Sequence, residues 1–246
     1  MELIGKDTSI ILGECLKEMM KLPEHQVDLI AADLPYGVSK NRWDHVIPLA
    51  PMWEAFGHVL KKNGRVVLTA TQPFSSQLVM SNPKDFKYDL IWEKPLSSGQ
   101  LNVSKMPLRS HEHILVFYKK FCVYNEQTTE GSVYNMHRKA DYKPGSYGVQ
   151  KASSKINTGY RHARSVVKII NPRIKGGHPS QKPLALMDYI VKTFSNEGDL
   201  VLDCSMGYGT TGVACVLNKR KFIGIDNDEY WFNAAKSRLQ RLQEAF

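Results

Sequence analysis

Short runs of apolar residues recur along the chain, separated by longer stretches whose apolar positions return every three to four residues. The runs at 9–12, 27–33, 65–70, 89–93, 113–118, 200–204 and 221–226 predict strands. The periodic segments at 15–21, 49–60, 74–81, 183–194, 210–217 and 228–242 predict helices. Their alternation predicts an α/β fold of parallel strands joined by crossover helices, and excludes all-β and all-α architectures. Turn chemistry agrees, since Lys62-Asn63-Gly64 and Asn196-Glu197-Gly198 each predict a helix end just ahead of a strand.

One stretch breaks the alternation. Residues 121–175 lose clear periodicity and are rich in Tyr, Ser, Asn, Gly and basic side chains, which predicts an insertion carried by the α/β scaffold. Ten Lys/Arg against three Asp/Glu give it a local balance of +7, most of the formal +9 of the whole chain. Tyr124, Tyr134, Tyr142, Tyr147 and Tyr160 are interleaved with those charges. Cations can neutralise phosphates and rings can stack on bases, so Lys139, Lys143, Arg161 and Arg164 are candidates for a nucleic-acid surface. The same composition also describes a solvated loop, and by itself leaves both readings open.

The chain's 246 residues, 42% of them hydrophobic, suit one large α/β domain or one domain with an insertion. Cys15, Cys122, Cys204 and Cys215 lack the close pairing of a zinc site or a dithiol motif. No N-terminal segment pairs a basic start with an apolar run, and none approaches the roughly 18 apolar residues that span a bilayer. A reducing, cytoplasmic compartment is therefore expected.

In an open parallel sheet, ligands bind beyond the carboxyl ends of the strands, and two predicted strand ends here carry unusual loops. The first is Asp33-Leu34-Pro35-Tyr36-Gly37, a turn that presents a carboxylate, backbone carbonyls and a flat ring. Asp33 and the carbonyl of Leu34 or Pro35 can accept both hydrogens of a heterocyclic amino group while Tyr36 stacks on the ring. Accepting those hydrogens frees a delocalised lone pair for attack on a methyl group, by positioning and electrostatics. An ordinary turn with Asp33 as a helix cap also fits these few residues. The second loop runs Asp203-Cys204-Ser205-Met206-Gly207-Tyr208-Gly209-Thr210-Thr211-Gly212 into a helix of small residues. Glycines let a cofactor approach the backbone, and Asp226, about 20 residues further on, suits ribose hydroxyls. A dinucleotide-binding dehydrogenase shares that spacing but leaves the first loop unexplained.

In this order the two loops resemble the beta-class amino-methyltransferases of DNA, whose chains run catalytic motif, target-recognition region, cofactor loop. Asp33-Leu34-Pro35-Tyr36 matches the family's D-P-P-Y except that Leu34 stands for a proline. Residues Asp203 to Thr211 match D-P-F-x-G-S-G-T-T except at Cys204, Ser205 and Tyr208. His178-Pro179-Ser180-Gln181-Lys182-Pro183 resembles the family's H-P-x-Q-K-P. The resemblance covers nearly the whole chain except the insertion. It implies a Rossmann-like S-adenosylmethionine-dependent methyltransferase fold, with a mainly parallel sheet and an inserted target-recognition region. On that division 1–120 is the catalytic-motif half, 121–175 the target-recognition region and 176–246 the cofactor-binding half.

The resemblance further implies that Asp33, Pro35 and Tyr36 are catalytic. S-adenosyl-L-methionine would be held by Asp33, Lys182, Asp203, Ser205, Gly207, Gly209, Thr210, Thr211 and Asp226, and the flipped base would meet Tyr36. Trp43-Asp44, soon after the catalytic loop, would help order it or face that base, and a tryptophan packed on the core is the competing expectation. An acid opening the catalytic motif is associated with adenine and a serine with cytosine. Site-specific adenine-N6 methylation of double-stranded DNA is thus expected, ahead of cytosine-N4 methylation and of an RNA adenine methyltransferase or an inactive nucleic-acid-binding relative. Attack at a cytosine ring carbon needs a cysteine nucleophile, and the chain has no Pro-Cys pair. A homodimer and a separate restriction nuclease sharing the target site are the partners the family brings besides DNA. His111, Glu112 and His113 lack a fourth ligand at metal spacing, and the last helix, with Lys236, Arg238 and Arg241, is expected to be a solvated outer helix.

Overall fold

The computed structural model describes residues 1–41, 44–138, 151–172 and 181–245. In chain order the elements are β1 (Glu2–Gly5), β2 (Thr8–Leu12), α1 (Cys15–Lys21), β3 (Val27–Asp33), α2 (Leu49–Val59), β4 (Leu60–Ala70), α3 (Phe74–Ser81), β5 (Phe86–Ser98), β6 (Arg109–Tyr118), β7 (Thr129–Glu130), β8 (Tyr134–Arg138), β9 (Ser153–Asn157), β10 (Tyr160–Arg161), β11 (Val166–Lys168), α4 (Leu184–Phe194), β12 (Leu200–Asp203), α5 (Thr210–Leu217), β13 (Lys221–Asp226) and α6 (Glu229–Glu244). They form two compact units, Met1–Asn125 with Ser165–Phe246, and Glu126–Arg164.

The larger unit is built on a nine-stranded sheet in the order β1-β2-β13-β12-β3-β4-β6-β5-β11. It is mainly parallel, with β1 and β6 running against the rest. Alternate residues of each strand enter opposite cores, because side chains in a strand project to alternate faces. Ile30, Ala32, Val66, Leu68, Leu115, Leu202 and Ile225 pack against α1, α2 and α3. Leu29, Ala31, Val67, Ile114, Val116, Val201 and Phe222 pack against α4, α5 and α6. With both faces covered, the strands read as continuous apolar runs rather than alternating ones.

Two local expectations are corrected. Lys62-Asn63-Gly64 is not a helix end: α2 stops at Val59, and the tripeptide lies within β4, where pairing shifts from Val27↔Leu60 to Leu29↔Arg65. A bulge absorbs the extra residues there, and turn-type composition serves a bulge as readily as a cap. Part of the aperiodic stretch also belongs to the main sheet, since β11 pairs in parallel with β5, Val166 opposite Ile91. The smaller unit holds two antiparallel pairs, β7 with β10 and β8 with β9. No helix among the described residues is long and apolar enough to cross a membrane.

Candidate active site

The chain winds outward in opposite directions from the parallel neighbours β12 and β3. From β12 the chain passes through α5 to β13 on one side, and from β3 through α2 to β4 on the other. The two carboxyl ends leave a crevice there, the usual ligand position of an open parallel sheet. Register decides what lines it. Val201 lies opposite Leu29, and Asp33 opposite Thr69. Asp203, Asp33 and Thr69 each follow by two residues a member of the core row that faces α4 to α6, and Glu112 precedes Ile114 of that row by two. Strand alternation therefore carries all four to the same face, just past the apolar core.

The Asp33 carboxylate is the centre of a charged cluster. Its Oδ1 accepts the Tyr36 hydroxyl at 2.7 Å and the Thr69 hydroxyl at 2.5 Å, and its Oδ2 accepts Lys182 Nζ at 2.7 Å. Lys182 lies 149 residues away in sequence, in the turn before α4. Glu112 closes the cluster: Lys94 Nζ donates to its Oε1 at 2.9 Å, while Lys182 Nζ and the Tyr36 hydroxyl lie 3.3 and 3.4 Å from its Oε2. Lys182, Glu112 and Lys94 are nearly buried, but the Asp33 side chain keeps 25% of its surface exposed and so presents one face to the crevice. Burial, then the Asp33 and Glu112 charges, push the Tyr36 phenol well above its ordinary value, so it stays a donor. Burial lowers the Lys182 pKa, yet Asp33 and Glu112 raise it on balance. Burial likewise opposes ionisation of Glu112, and Lys182 and Lys94 outweigh it.

Two contacts shape the catalytic turn. Ser205 Oγ donates to the Asp33 carbonyl at 3.0 Å, which ties the turn to the glycine loop and leaves the carbonyls of Leu34 and Pro35 as the remaining acceptors. Leu34, in place of the family's proline, is buried in the core on the face covered by α1, α2 and α3. Beyond Tyr36 the backbone is gathered by Asp44, whose carboxylate accepts the amides of Gly37 at 2.7 Å, Val38 at 3.0 Å and Ser39 at 2.6 Å. Burial raises the Asp44 pKa, but the Ser39 side chain and these amides bring it below its ordinary value.

The second half of the crevice is the glycine loop. Met206 donates its amide to Ile225, Gly207 its amide to Asp226 Oδ2 at 2.7 Å, and Thr211 its hydroxyl to Asp203 Oδ2 at 2.5 Å. Gly209 sits at φ 70° as α5 begins, a conformation that disfavours side chains. Gly212 allows close packing, since a Cβ there would fall 2.7 Å from the Phe222 ring. Burial, and then the nearby Asp33 and Asp226 charges, push Asp203 up to about 7 against the Thr211 and Ser205 hydrogen bonds; burial also raises Asp226.

The cavity between the loops measures about 270 Å³, and among the described residues it is lined by five carboxylates, Glu14, Asp33, Asp203, Asp226 and Asp228, against the single ammonium of Lys182. Such a lining favours a cationic ligand with hydroxyl groups and repels a pyrophosphate, which separates this crevice from a dinucleotide site. Arg238 is not the solvated residue expected of α6. It donates to the Tyr208 carbonyl at 2.9 Å and to Thr210 Oγ1 at 3.1 Å, and lies 4.7 Å from the Tyr208 ring centroid. The rotation of α6 on the sheet turns this arginine onto the loop.

The profile of a family described as DNA methylase matches residues 27–237. The chain belongs to that DNA methylase family. It is 31% identical over 257 residues to the DNA adenine methyltransferase YhdJ of Escherichia coli K12, covering 96% of this chain and 83% of that relative. Among solved structures, the M1.HpyAVI complex with S-adenosylmethionine is 24% identical, with a TM-score of 0.65 over 94% of this chain and 99% of that one. The cytosine-N4-specific PvuII DNA methyltransferase is 14% identical, with a TM-score of 0.68 over 97% of this chain and 92% of that one. Both share the fold of this DNA methylase.

Of the expected site residues, the cavity lining brings together Asp33, Pro35, Lys182, Asp203, Ser205, Gly207, Thr210, Thr211 and Asp226. Tyr36 joins through Asp33, and Gly209 begins α5. In the smaller unit the Arg161 guanidinium donates to Asn157 Oδ1 and the Ser132 carbonyl and lies 4.8 Å from the Tyr134 ring centroid, so it braces the two strand pairs. Arg164 is exposed. Trp43, Lys139 and Lys143, with His178 to Ser180, lie outside the described residues. Thr69 and Lys94 escaped the sequence reading, and Glu112 and Arg238 entered it only as a metal candidate and as a solvated helix residue, because nothing local marks a threonine at a strand end or the inward turn of an arginine on a charged helix face.

Proposed function

We propose that this DNA methylase transfers a methyl group from S-adenosylmethionine to the N6 amino group of a specific adenine flipped out of duplex DNA. The observation that carries the reading is the partly exposed Asp33 carboxylate, held by Tyr36, Thr69 and Lys182 beside the acid-lined glycine loop. Bound S-adenosylmethionine would supply an electrophilic methyl group on a cationic sulfur. Asp226 would take ribose hydroxyls, with Asp203, Ser205, Gly207, Thr210 and Thr211 lining the rest of the pocket and Gly209 shaping the loop. The five carboxylates suit that ligand's positive charge.

Asp33 would accept one amino hydrogen and the carbonyl of Leu34 or Pro35 the other, leaving the nitrogen lone pair aimed along the crevice. Tyr36 would stack on the base, with its phenol held on Asp33 to anchor the far end of the ring. Adenine is favoured because the motif opens with an acid and because YhdJ is described as an adenine enzyme. The unit Glu126–Arg164 would be the target-recognition region, within the wider 121–175 stretch that separates the catalytic and cofactor-binding halves. Lys139, Lys143 and Arg164 would contact the backbone of double-stranded DNA, Arg161 would support that surface, and Trp43 would face the flipped base. A cytoplasmic location, a homodimer and a separate nuclease sharing the site complete the proposal.

The test is incubation with methyl-labelled cofactor and mixed-sequence duplex DNA, followed by nucleoside digestion and mass spectrometry. N6-methyladenine is expected, N4-methylcytosine would move only the target base, and no methylated nucleoside would overturn the function. Asp33→Ala is expected to abolish transfer while leaving cofactor binding largely intact; unchanged transfer would overturn the mechanism.

A further inference from the structure

We propose that Glu112 is a positioning residue of the methyl-transfer site, holding the Lys182 ammonium on the Asp33 carboxylate and over the Tyr36 ring. The inference rests on the reading of Asp33 as the acceptor of the amino hydrogen. Lys182 reaches the site on a flexible four-carbon stem, and a single carboxylate would leave its ammonium free to rotate. Glu112 supplies the second anchor: its Oε2 lies 3.3 Å from Lys182 Nζ, while its Oε1 accepts Lys94 at 2.9 Å. A merely structural pairing of β5 with β6 would be satisfied by Lys94 alone. Here the second oxygen is turned instead toward Lys182 and the Tyr36 hydroxyl.

Lys182 in turn controls both halves of the catalytic turn. It donates to Asp33 Oδ2 at 2.7 Å and lies 5.2 Å from the Tyr36 ring centroid. Fixing one ammonium thus fixes the acceptor and the stacking ring together. Two carboxylates and two ammonium groups make the cluster neutral as a whole. Without the Glu112 charge, two cations would share one carboxylate, and Lys182 would compete more strongly with the substrate for the Asp33 oxygens. Glu112 stands outside the cavity lining and acts through Lys182.

The experiment compares wild type, Glu112→Gln and Glu112→Asp in steady-state and single-turnover methylation of duplex DNA, with cofactor affinity by calorimetry. Glu112→Gln keeps the shape and is expected to lower kcat about 100-fold, the scale of a small misplacement in a positioned site. KM for DNA and cofactor affinity should stay within about twofold of wild type, a split that a general loss of structure would not produce. The alkaline limb of its pH profile should move to lower pH. Asp33 and Glu112 are the carboxylates that keep Lys182 protonated, with Tyr36 and Lys94 the other titratable groups at the cluster, and one of the two is gone. Should the glutamine variant fail to fold, Glu112→Asp decides: it keeps the charge but shortens the reach, and kcat should fall about tenfold at constant KM. Wild-type kcat in a folded variant, or a loss confined to KM or cofactor affinity, would overturn the proposal. A wild-type protein that methylates no DNA would bring down the parent function, whereas an active wild type with an equally active Glu112→Gln removes only the role of Glu112.

Discussion

Replacing Asp203 by asparagine should make the fold more stable and the enzyme worse, with the stability gain appearing only as pH rises. The Asp203 carboxyl is buried and pushed up to about 7 from an ordinary 3.8. Three pKa units at ~1.4 kcal/mol each put the cost of ionising it in the folded protein at about 4 kcal/mol relative to the unfolded chain. A carboxyl whose folded pKa is raised contributes stability that is fully present below about pH 4 and is lost as pH climbs through about 7. Asparagine removes that loss but weakens two hydrogen bonds, from the Thr211 hydroxyl and the Ser205 amide, at about 1 kcal/mol each. The net gain at pH 8 is then about 2 kcal/mol, or roughly 4 to 8 °C in Tm for a domain of this size.

The assay is thermal unfolding of both proteins without cofactor at pH 5, 6, 7 and 8. Other titrating groups are common to both and cancel in the difference. The Tm gap should widen from pH 5 to 7 in favour of Asp203→Asn and level off towards pH 8, while affinity for S-adenosylmethionine falls about tenfold for want of a charged partner. A gap that stays flat across that range, or a wild type that is the more stable protein at pH 8, would refute the buried, proton-holding Asp203.

Asp44→Ala should release the amides of Gly37, Val38 and Ser39 and cost about 2 kcal/mol, with faster hydrogen exchange at those three positions as the measurement. Because the Asp44 pKa is lowered, its contribution is present above the ordinary carboxylate range and lost as pH falls through the depressed value, so wild type and variant should converge in acid. Gly212→Ala would press a methyl group to 2.7 Å from the Phe222 ring, and denaturant unfolding should show a loss of about 1–3 kcal/mol.

The electrostatics of the crevice bear on the choice between cofactor classes that share a glycine loop and a later acid. A dinucleotide brings a pyrophosphate to the start of the helix, where positive charge or bare amides are wanted. Here α5 opens beside Asp203, Asp226 and Asp33; among the described residues Lys182 is engaged by carboxylates, and Arg238 is turned onto the Tyr208 carbonyl and the Thr210 hydroxyl. The arrangement instead accommodates a ligand that carries its own positive charge.

What the sequence determined by itself is what short-range physics encodes. Apolar period, glycine placement and turn chemistry gave 27–33, 74–81 and 210–217 as elements with the observed limits, and set Asp33 and Asp203 at strand ends. The loops that carry the chemistry were legible for the same reason: their residues are consecutive, so their geometry is local. Only the tertiary structure decided which distant residues meet. Sheet order and register put Thr69 opposite Asp33, carried Glu112 two residues past the core row, and brought Lys182 across 149 positions onto one carboxylate. The rotation of α6 turned Arg238 inward, and a bulge in β4 took up a tripeptide that reads as a helix cap. These outcomes depend on strand pairing and helix packing, which are cooperative properties of the whole sheet and leave no mark on any single stretch of chain.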